Sequence, residues 1–420
     1  MRSADHRRSW LTSKRLRAHG FIFALCLWSV YVWNLSTPGL RDRSGNLKGT
    51  DFLHFYVLGS IALAHRGPDL YNMNAQAALA VARVPQSAGI RYLPLYPPQV
   101  SIFLAPWARL PYAWAFAAWS VFSTLIYALC CYALWLACSN LQRSDLRQTR
   151  WTVLALAAGF PAFFHLIAWG QTSALALACF TLAFFSLCGK REFLAGVALG
   201  LLVFKPQLGL AAAIVFTSIG CWRLILGAAL SSAAELAIGW FYYGAGPLRD
   251  WCRLMLRARD VAPLLEPRPY HTHCLLTFWT MLVPQATLAL GLYIISALAV
   301  LALTLAVWRT RPGLPLALRY SSLLVTTVLI APHLTVYDLI ILAPAFILLA
   351  DWLIANPFKP EVRRLGVLLY LAYALPLIGP WAQWTHVQLS VLAMFAIVCM
   401  LWQVARATLP NQTALAEKRT

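Results

Sequence analysis

The sequence predicts an all-α protein that crosses a membrane many times, and three observations carry this prediction. Hydrophobic residues make up 60% of the 420 residues and charged residues only 11%, whereas about a quarter of the residues of a soluble domain are charged. Apolar runs of roughly 20 residues, each long enough to cross the hydrocarbon core as a helix, recur along the chain. Basic residues lie in short clusters between these runs. We therefore predict a helical bundle of about eleven apolar passes.

The chain begins with a basic segment, residues 1–20, followed by an apolar run from Phe21 to Leu35. This pattern resembles a secretory signal peptide, but no small-x-small cleavage site follows the run. We therefore expect a retained signal-anchor helix at about 21–37, with the N-terminus in the cytoplasm.

Alternation from a cytoplasmic N-terminus predicts one membrane domain over residues 21–406 and a cytoplasmic tail at 407–420. Two long loops, 38–111 and 244–275, are expected outside. The passes are expected at about 21–37, 112–138, 151–168, 173–188, 193–220, 222–243, 284–308, 318–331, 339–354, 365–379 and 387–405. The short outside turns carry almost no positive charge, which agrees with the bias of Lys and Arg toward the cytoplasmic side.

The segment 193–220 has two interpretations, because Lys205-Pro206 interrupts it midway. It is either one long helix kinked at the proline or two short helices that meet at Lys205. We favour the pair of short helices, since it keeps every later basic loop on the cytoplasmic side.

The formal net charge of +20 raises the question of nucleic-acid binding. A nucleic-acid-binding protein carries its basic residues as a patch on a folded surface. In this chain the basic residues lie between apolar runs, as topology signals do. We therefore expect membrane lipids, and no nucleic acid, as partners.

The polar residues that suggest chemistry collect on the predicted outer face. The candidates are Asp51, His54, Asp69, Tyr71, Tyr96, Gln171, Lys205, His271, His273, His333 and Asp338. They come from separate loops that a helical bundle would bring together, so we expect the working face of the protein to be the outer one.

The first outside loop is predicted to be helical in two places. Residues 52–65 and 75–84 carry apolar residues at helical spacing with polar interruptions, a pattern typical of amphipathic helices in the membrane interface. Asp51 stands just before the first of them. It is either an N-cap that binds free backbone N–H groups or a general base near the membrane surface, where an unused carboxylate is costly. One residue can serve both purposes.

Other candidates have structural alternatives. The stretch Gly67–Tyr71 is typical of a turn, with a proline that fixes φ and an aspartate that binds nearby backbone, so a structural role is favoured. Tyr96 precedes two prolines in a stiff, extended connector. Gln171 follows a glycine between two passes, where a tight turn is the simpler interpretation.

Lys205 is a different case, because a lysine amid long apolar runs either snorkels to the surface or pairs with an anion. We favour a phosphate as its partner, with arginines of the second outside loop adding positive charge. His271, His273 and His333 are each more commonly structural than substrate-binding. Asp338 either pairs with a basic group or lines the site.

Motifs for several other chemistries are absent from the sequence. It contains no Walker loop, no paired zinc-ligand motif and no nucleophile elbow. We expect neither a metal ion nor another cofactor.

In the order and spacing of its short motifs, the chain resembles glycosyltransferase family 87, the polyprenyl-phosphate-mannose-dependent mannosyltransferase-like group of the GT-C superfamily. The matching elements are Asp51, Arg66 to Tyr71, Tyr92 to Pro98, Gly170-Gln171, Gly196 to Lys205-Pro206, and Pro332-His333. The stretch 332–338 is only loosely similar to the family's serine-proline and histidine pattern, which leaves the role of His333 open.

The resemblance implies a GT-C-like helical bundle in the bacterial inner membrane that works on its periplasmic face. It implies that Asp51 is a general base, which deprotonates a hydroxyl of a lipid or glycan acceptor. The hydroxyl then attacks the anomeric carbon of mannose or a similar hexose carried on polyprenyl phosphate, with inversion. Lys205 and neighbouring arginines would hold the phosphate that leaves.

Two other classes of function fit the pattern less well. A transporter or flippase of a lipid-linked saccharide would show internal repeats and charges near the midplane of the membrane. No repeat is visible, and Glu235 is the only acidic residue well inside a pass. A scaffold subunit of an envelope-assembly complex would tolerate replacement of the outer polar residues without effect on glycans.

Overall fold

The computed structural model describes residues 12–143, 146–257, 268–309, 313–357 and 360–407. The basic segment before residue 12, part of the second predicted outside loop (258–267) and the tail from residue 408 lie outside the described residues. Within the described ranges the secondary structure is helical, with two isolated backbone bridges and no strand. The predicted all-α class is confirmed.

Helices of very different lengths follow one another along the described ranges and are numbered in chain order. The first ten are α1 Ser13–Leu35, α2 Thr50–Leu63, α3 Met73–Arg83, α4 Pro98–Leu104, α5 Tyr112–Ala137, α6 Ser139–Arg143, α7 Leu146–Ala158, α8 Pro161–Trp169, α9 Ser173–Cys188 and α10 Glu192–Gly200. The others are α11 Leu210–Ser218, α12 Trp222–Tyr243, α13 Ala245–Leu256, α14 Leu275–Leu282, α15 Ala286–Arg309, α16 Leu316–Ile330, α17 Ala343–Ala355, α18 Pro360–Ala374, α19 Ala382–Thr385 and α20 Leu389–Ala407. Short 3-10 segments join them at Gly67–Tyr71, Pro85–Ser87, Trp107–Arg109, Leu201–Phe204, Pro206–Leu208, Pro269–His271, Val336–Leu342 and Leu375–Trp381.

Seven helical segments of the described chain are long and apolar enough to cross a membrane, and the bent pair α7 and α8 makes an eighth if it is one crossing. The seven are Ser13–Leu35, Tyr112–Ala137, Trp222–Tyr243, Ala286–Arg309, Val336–Ala355, Glu361–Thr385 and Leu389–Ala407. The shorter apolar helices are Thr50–Leu63, Ser173–Cys188, Glu192–Phe204, Pro206–Ser218 and Leu316–Ile330. The polytopic class is therefore confirmed, and the predicted passes divide between full-length and shorter helices.

The predicted pair of short helices at 193–220 is confirmed. The chain is helical over Glu192–Phe204 and again over Pro206–Ser218, and Lys205 between them has φ −136° and ψ 70°. Pro206 explains the break, because proline lacks the N–H group and disfavours helical geometry in the residue before it. The break leaves Lys205 at a helix junction instead of inside a continuous pass.

Helices α10 and α12 approach each other backbone to backbone through glycines. A Cβ on Gly196 would lie 1.9 Å from the carbonyl oxygen of Leu224, and one on Gly227 would lie 2.2 Å from that of Phe193. Small residues allow such close packing of membrane helices. The contact fixes α10, and therefore the position of Lys205 after it.

In the first predicted outside loop, α2 differs from the expectation of an amphipathic surface helix. Its residues 52–62 are all buried, and a Cβ on Gly59 would lie 2.5 Å from the carbonyl oxygen of Leu104. A helix that is apolar on every face is normally buried. The polar residues His54 and Ser60 of α2 are buried as well, and their presence in the sequence suggested an exposed face that the helix does not have. The later helix α3 keeps one largely exposed face, with Gln76 and Ala80 buried on the other.

Hydrogen bonds connect the two long loops, 38–111 and 244–275, to each other and to the ends of neighbouring helices. The indole N–H of Trp251, on α13, donates to the carbonyl oxygen of Leu95 at 3.0 Å. Farther along, the backbone N–H of His273 donates to the carbonyl oxygen of Leu334 at 2.9 Å. These contacts gather the candidate residues of both loops at one end of the bundle.

Candidate functional site

Asp51 lies in the first turn of α2, and the start of that helix fixes its position. Gly49 has a left-handed φ of 68° and precedes the first helical residue, Thr50. The phenol of Tyr112 donates to the carbonyl oxygens of Lys48 at 2.9 Å and Gly49 at 2.8 Å. Gly49 occupies the N-cap position, so the interpretation of Asp51 as the cap is wrong. Asp51 is the acidic residue of the first turn of this helix.

The carboxylate of Asp51 is held by Gln171. The amide Nε2 of Gln171 donates to Asp51 Oδ2 at 2.6 Å. Gly170 ends α8 with φ 72°, and the N–H groups of Gly170 and Gln171 both donate to the carbonyl oxygen of Leu166 at 3.0 Å, a glycine-dependent helix end. The tight turn predicted at this position therefore also orients a site residue. A neutral amide orients the carboxylate without removing its charge.

A buried ion pair between Lys205 and Asp338 contacts Ser173, which lies two residues after Gln171. Lys205 Nζ lies 2.8 Å from Asp338 Oδ1, and the two side chains are 6% and 4% exposed. Ser173 Oγ accepts from Lys205 at 2.9 Å and donates to the same carboxylate oxygen at 2.5 Å. The other oxygen of Asp338 accepts from the hydroxyl of Thr335 at 3.2 Å. Lys205 therefore does not snorkel, and its anionic partner in this structure is Asp338.

The turn from Gly170 to Ser173 joins the two clusters, because Gln171 contacts Asp51 while Ser173 contacts the ion pair. Tyr96 lies among the same charges and interacts electrostatically with Lys205, Asp338 and Asp51. The base candidate and the buried lysine therefore belong to one site.

Two phenols of the segment between α3 and α4 stay protonated at this site. Burial raises the pKa of Tyr92, with a smaller contribution from the charge of Asp51, and burial also raises the pKa of Tyr96. Tyr92 donates to the carbonyl oxygen of Thr50. This hydrogen bond, together with those of Tyr112, holds the first turn of α2 in place.

His54 lies three residues after Asp51, on the same side of α2. Its ring stacks on that of Tyr92 at a centroid distance of 4.9 Å and meets the edge of Tyr96 at 5.7 Å. Its Nε2 and the Oε1 of Gln171 are buried and have no hydrogen-bond partner within the described residues. Buried polar atoms are normally paired, and these two are exceptions to that rule on side chains close to or in contact with Asp51.

Two other candidates make local structural contacts. Asp69 pairs with Arg66 within one turn, and the phenol of Tyr71 donates to the carbonyl oxygen of Tyr96 at 2.9 Å. These contacts agree with the structural interpretation of the turn. Tyr71 also supports the site indirectly, because it holds the backbone of Tyr96.

The three histidine candidates occupy different places. The ring of His271 lies 5.3 Å from Trp169, whose ring lies 5.5 Å from Tyr337, next to Asp338. His273 is buried, and its Nδ1 lies 2.7 Å from Ser390 Oγ, as expected of a structural histidine. His333 is half-buried in the turn after α16. Of the three, His271 is connected to the site through the ring of Trp169, which in turn contacts Tyr337.

Sequence reasoning missed Ser173 and Tyr112 as parts of this site. Ser173 carried a signal, since Gln171-Thr172-Ser173 is a polar run at the head of an otherwise apolar helix. Tyr112 carried none, because an aromatic residue at the start of a pass is typical of any membrane helix.

We expect Gly170→Ala to unfold more easily than the wild-type protein, because it combines backbone strain with a clash next to Asp51. A Cβ on Gly170 would lie 2.6 Å from Cβ of Phe52, and a non-glycine residue at positive φ costs on the order of 1 kcal/mol. Gly220→Ala is the matched control, since its φ is 74° and a Cβ there would meet nothing closer than 3.9 Å. The measurement is the thermal midpoint in detergent. Equal losses for the two variants would contradict the predicted clash.

Residues 95–332 match the model of glycosyltransferase family 87. No curated protein and no solved structure matches the chain. The matched range includes Tyr96, Gln171 and Lys205, while Asp51 and Asp338 lie outside it.

Proposed function

Because this chain belongs to glycosyltransferase family 87, we propose that it transfers mannose or a similar hexose from polyprenyl phosphate to a hydroxyl of a lipid or glycan. We place the site on the periplasmic face of a bacterial inner membrane, as the predicted topology has it. The contact between Gln171 Nε2 and Asp51 Oδ2 carries the proposal, because it links the base candidate to the part of the chain that defines the family.

In the proposed reaction Asp51 accepts the proton of the acceptor hydroxyl. The oxygen of that hydroxyl forms a bond to the anomeric carbon while the bond from that carbon to the phosphate oxygen breaks. Polyprenyl phosphate leaves with the bonding electron pair, and a single displacement inverts the anomeric centre. A positioned base accelerates such a step by about 10²- to 10⁴-fold.

Several features of the site support a sugar ligand. His54 Nε2 and Gln171 Oε1 are buried polar atoms without a partner among the described residues. His54 follows Asp51 by three residues in α2, and Gln171 donates to the carboxylate of Asp51 through its Nε2. Sugar hydroxyls can donate to and accept from such atoms. The stacked rings of His54 and Tyr92 add an aromatic surface, with His54 close to Asp51 in the chain, and aromatic surfaces suit the apolar faces of a sugar ring.

Lys205 is our candidate for contact with the leaving phosphate. Its ammonium group is the buried cation of the site, and it interacts electrostatically with Asp51. In this structure it is neutralised by Asp338, so a lipid phosphate would share Lys205 with that carboxylate or displace it. Cations near the leaving group stabilise the charge that develops in the transition state.

The donor assay tests this function directly. Purified full-length protein is incubated with radiolabelled polyprenyl-phosphate mannose or polyprenyl-phosphate glucose and a bacterial membrane lipid extract. We expect label to appear in a new lipid or glycan product with one of these donors. No transfer from any donor, together with movement of the labelled donor across proteoliposome membranes, would replace this proposal with the transport function.

A further inference from the structure

The two C-terminal membrane helices, α18 and α20, form a trough on the outside of the bundle. Its volume is about 930 Å³. The lining includes Arg363, Arg364, Val367 and Leu368 from α18, and Phe395 and Met400 from α20. Two arginines therefore stand at one end of an otherwise apolar surface.

The trough lies at the end of the bundle away from the candidate site. Gln388, just before α20, donates to the carbonyl oxygen of Thr272 at 3.0 Å, which places the start of α20 beside the loops of the site. Arg363 precedes the end of α18 at Ala374 by roughly 16 Å along the helix axis. The trough is therefore separate from the surroundings of Asp51.

Neither arginine has a partner among the described residues that would neutralise it. Both side chains are exposed, and within the described part of the chain neither forms an ion pair, although Glu361 lies in the same first turn of α18. The N-terminal end of a helix already carries partial positive charge. Two further positive charges there are favourable when an anion is bound.

We propose that this trough binds one anionic phospholipid of the surrounding leaflet. The phosphate of the headgroup pairs with Arg363 and Arg364, and an acyl chain lies against Val367, Leu368 and Phe395. Basic pockets between membrane helices bind anionic headgroups in this way, and arginine suits phosphate because its donors are planar and forked. A free phosphate would use the charges but not the apolar wall below them, so the lipid is the occupant that matches both. The proposal does not depend on the transfer reaction.

Native mass spectrometry of the full-length protein in nonionic detergent tests this site. The protein is titrated with phosphatidylglycerol and, separately, with phosphatidylcholine of the same acyl chains. We expect phosphatidylglycerol to be retained more strongly than phosphatidylcholine. Arg363→Gln combined with Arg364→Gln should weaken retention of phosphatidylglycerol on the order of tenfold.

Two further variants separate the parts of the site. Arg191→Gln with Arg223→Gln removes two exposed arginines that do not line the trough, and it should leave retention unchanged. Ala396→Trp, which places a large side chain among the lining residues, should weaken retention while both arginines are present. Equal binding of the two lipids, or unchanged retention in the Arg363 and Arg364 double variant, would overturn the proposal. A wild-type dimer that Ala396→Trp dissociates would also overturn it, because a second copy of the chain would then cover the trough.

Discussion

Asp51→Asn is expected to lower the rate of sugar transfer by about 10²- to 10⁴-fold, the usual contribution of a general base. Asparagine has the same shape, and its side-chain oxygen can still accept from Gln171 Nε2, which lies 2.6 Å from Asp51 Oδ2 in the wild-type protein. The fold and the affinity for the donor should therefore change little. The measurement is the initial rate of transfer at saturating donor, with the thermal midpoint of the same preparation.

Asp250→Asn is the matched control for this experiment. Asp250 pairs with Arg253 at 3.3 Å on the exposed side of α13, and an exposed pair of this kind contributes little to stability. We expect the control to transfer sugar at the wild-type rate. Transfer by Asp51→Asn at that same rate would remove Asp51 from the mechanism, whereas loss of transfer together with loss of the folded protein would assign it a structural role.

The helical architecture was predictable because each pass is a long local pattern. The pass predicted at 112–138 is Tyr112–Ala137, and the one predicted at 222–243 is Trp222–Tyr243. The break at Lys205 was also readable, because proline acts on its own neighbours in the chain. Signals that reside within about 20 residues of sequence therefore located the helices.

What could not be read from the sequence is how separate segments meet. The burial of α2 depends on contacts such as that of Gly59 with Leu104, which lie far apart in the chain. Gln171 and Asp51, which are in contact, lie 120 residues apart in the chain. Ser173 and Asp338 lie 165 residues apart. A single sequence contains the residue types of such contacts but not their pairing, so Lys205 could be assigned an anion but not this carboxylate.

Lys205→Met is expected to destabilise the protein by about 3–5 kcal/mol, because it leaves the carboxylate of Asp338 buried without its cation. Asp338 is 4% exposed on its side chain, so water cannot replace the lost partner. Asp338→Asn should also be costly, since it leaves the buried ammonium group without an opposite charge. The double variant carries neither charge and should recover most of the stability. Unfolding of the three variants in detergent forms a double-mutant cycle, which measures the coupling between the two side chains.

The double variant also separates the two possible roles of Lys205. If Lys205 only balances Asp338, the folded double variant should transfer sugar at close to the wild-type rate. If it contacts the leaving phosphate, as we propose, the double variant should be stable but slow, and the rate at saturating donor should fall because charge on the phosphate develops in the transition state. Recovery of both stability and transfer would contradict the phosphate role, and additive stability losses would contradict the coupling of the ion pair. Because the cycle measures folding and transfer in the same variants, the structural and catalytic contributions of one buried lysine can be assigned independently.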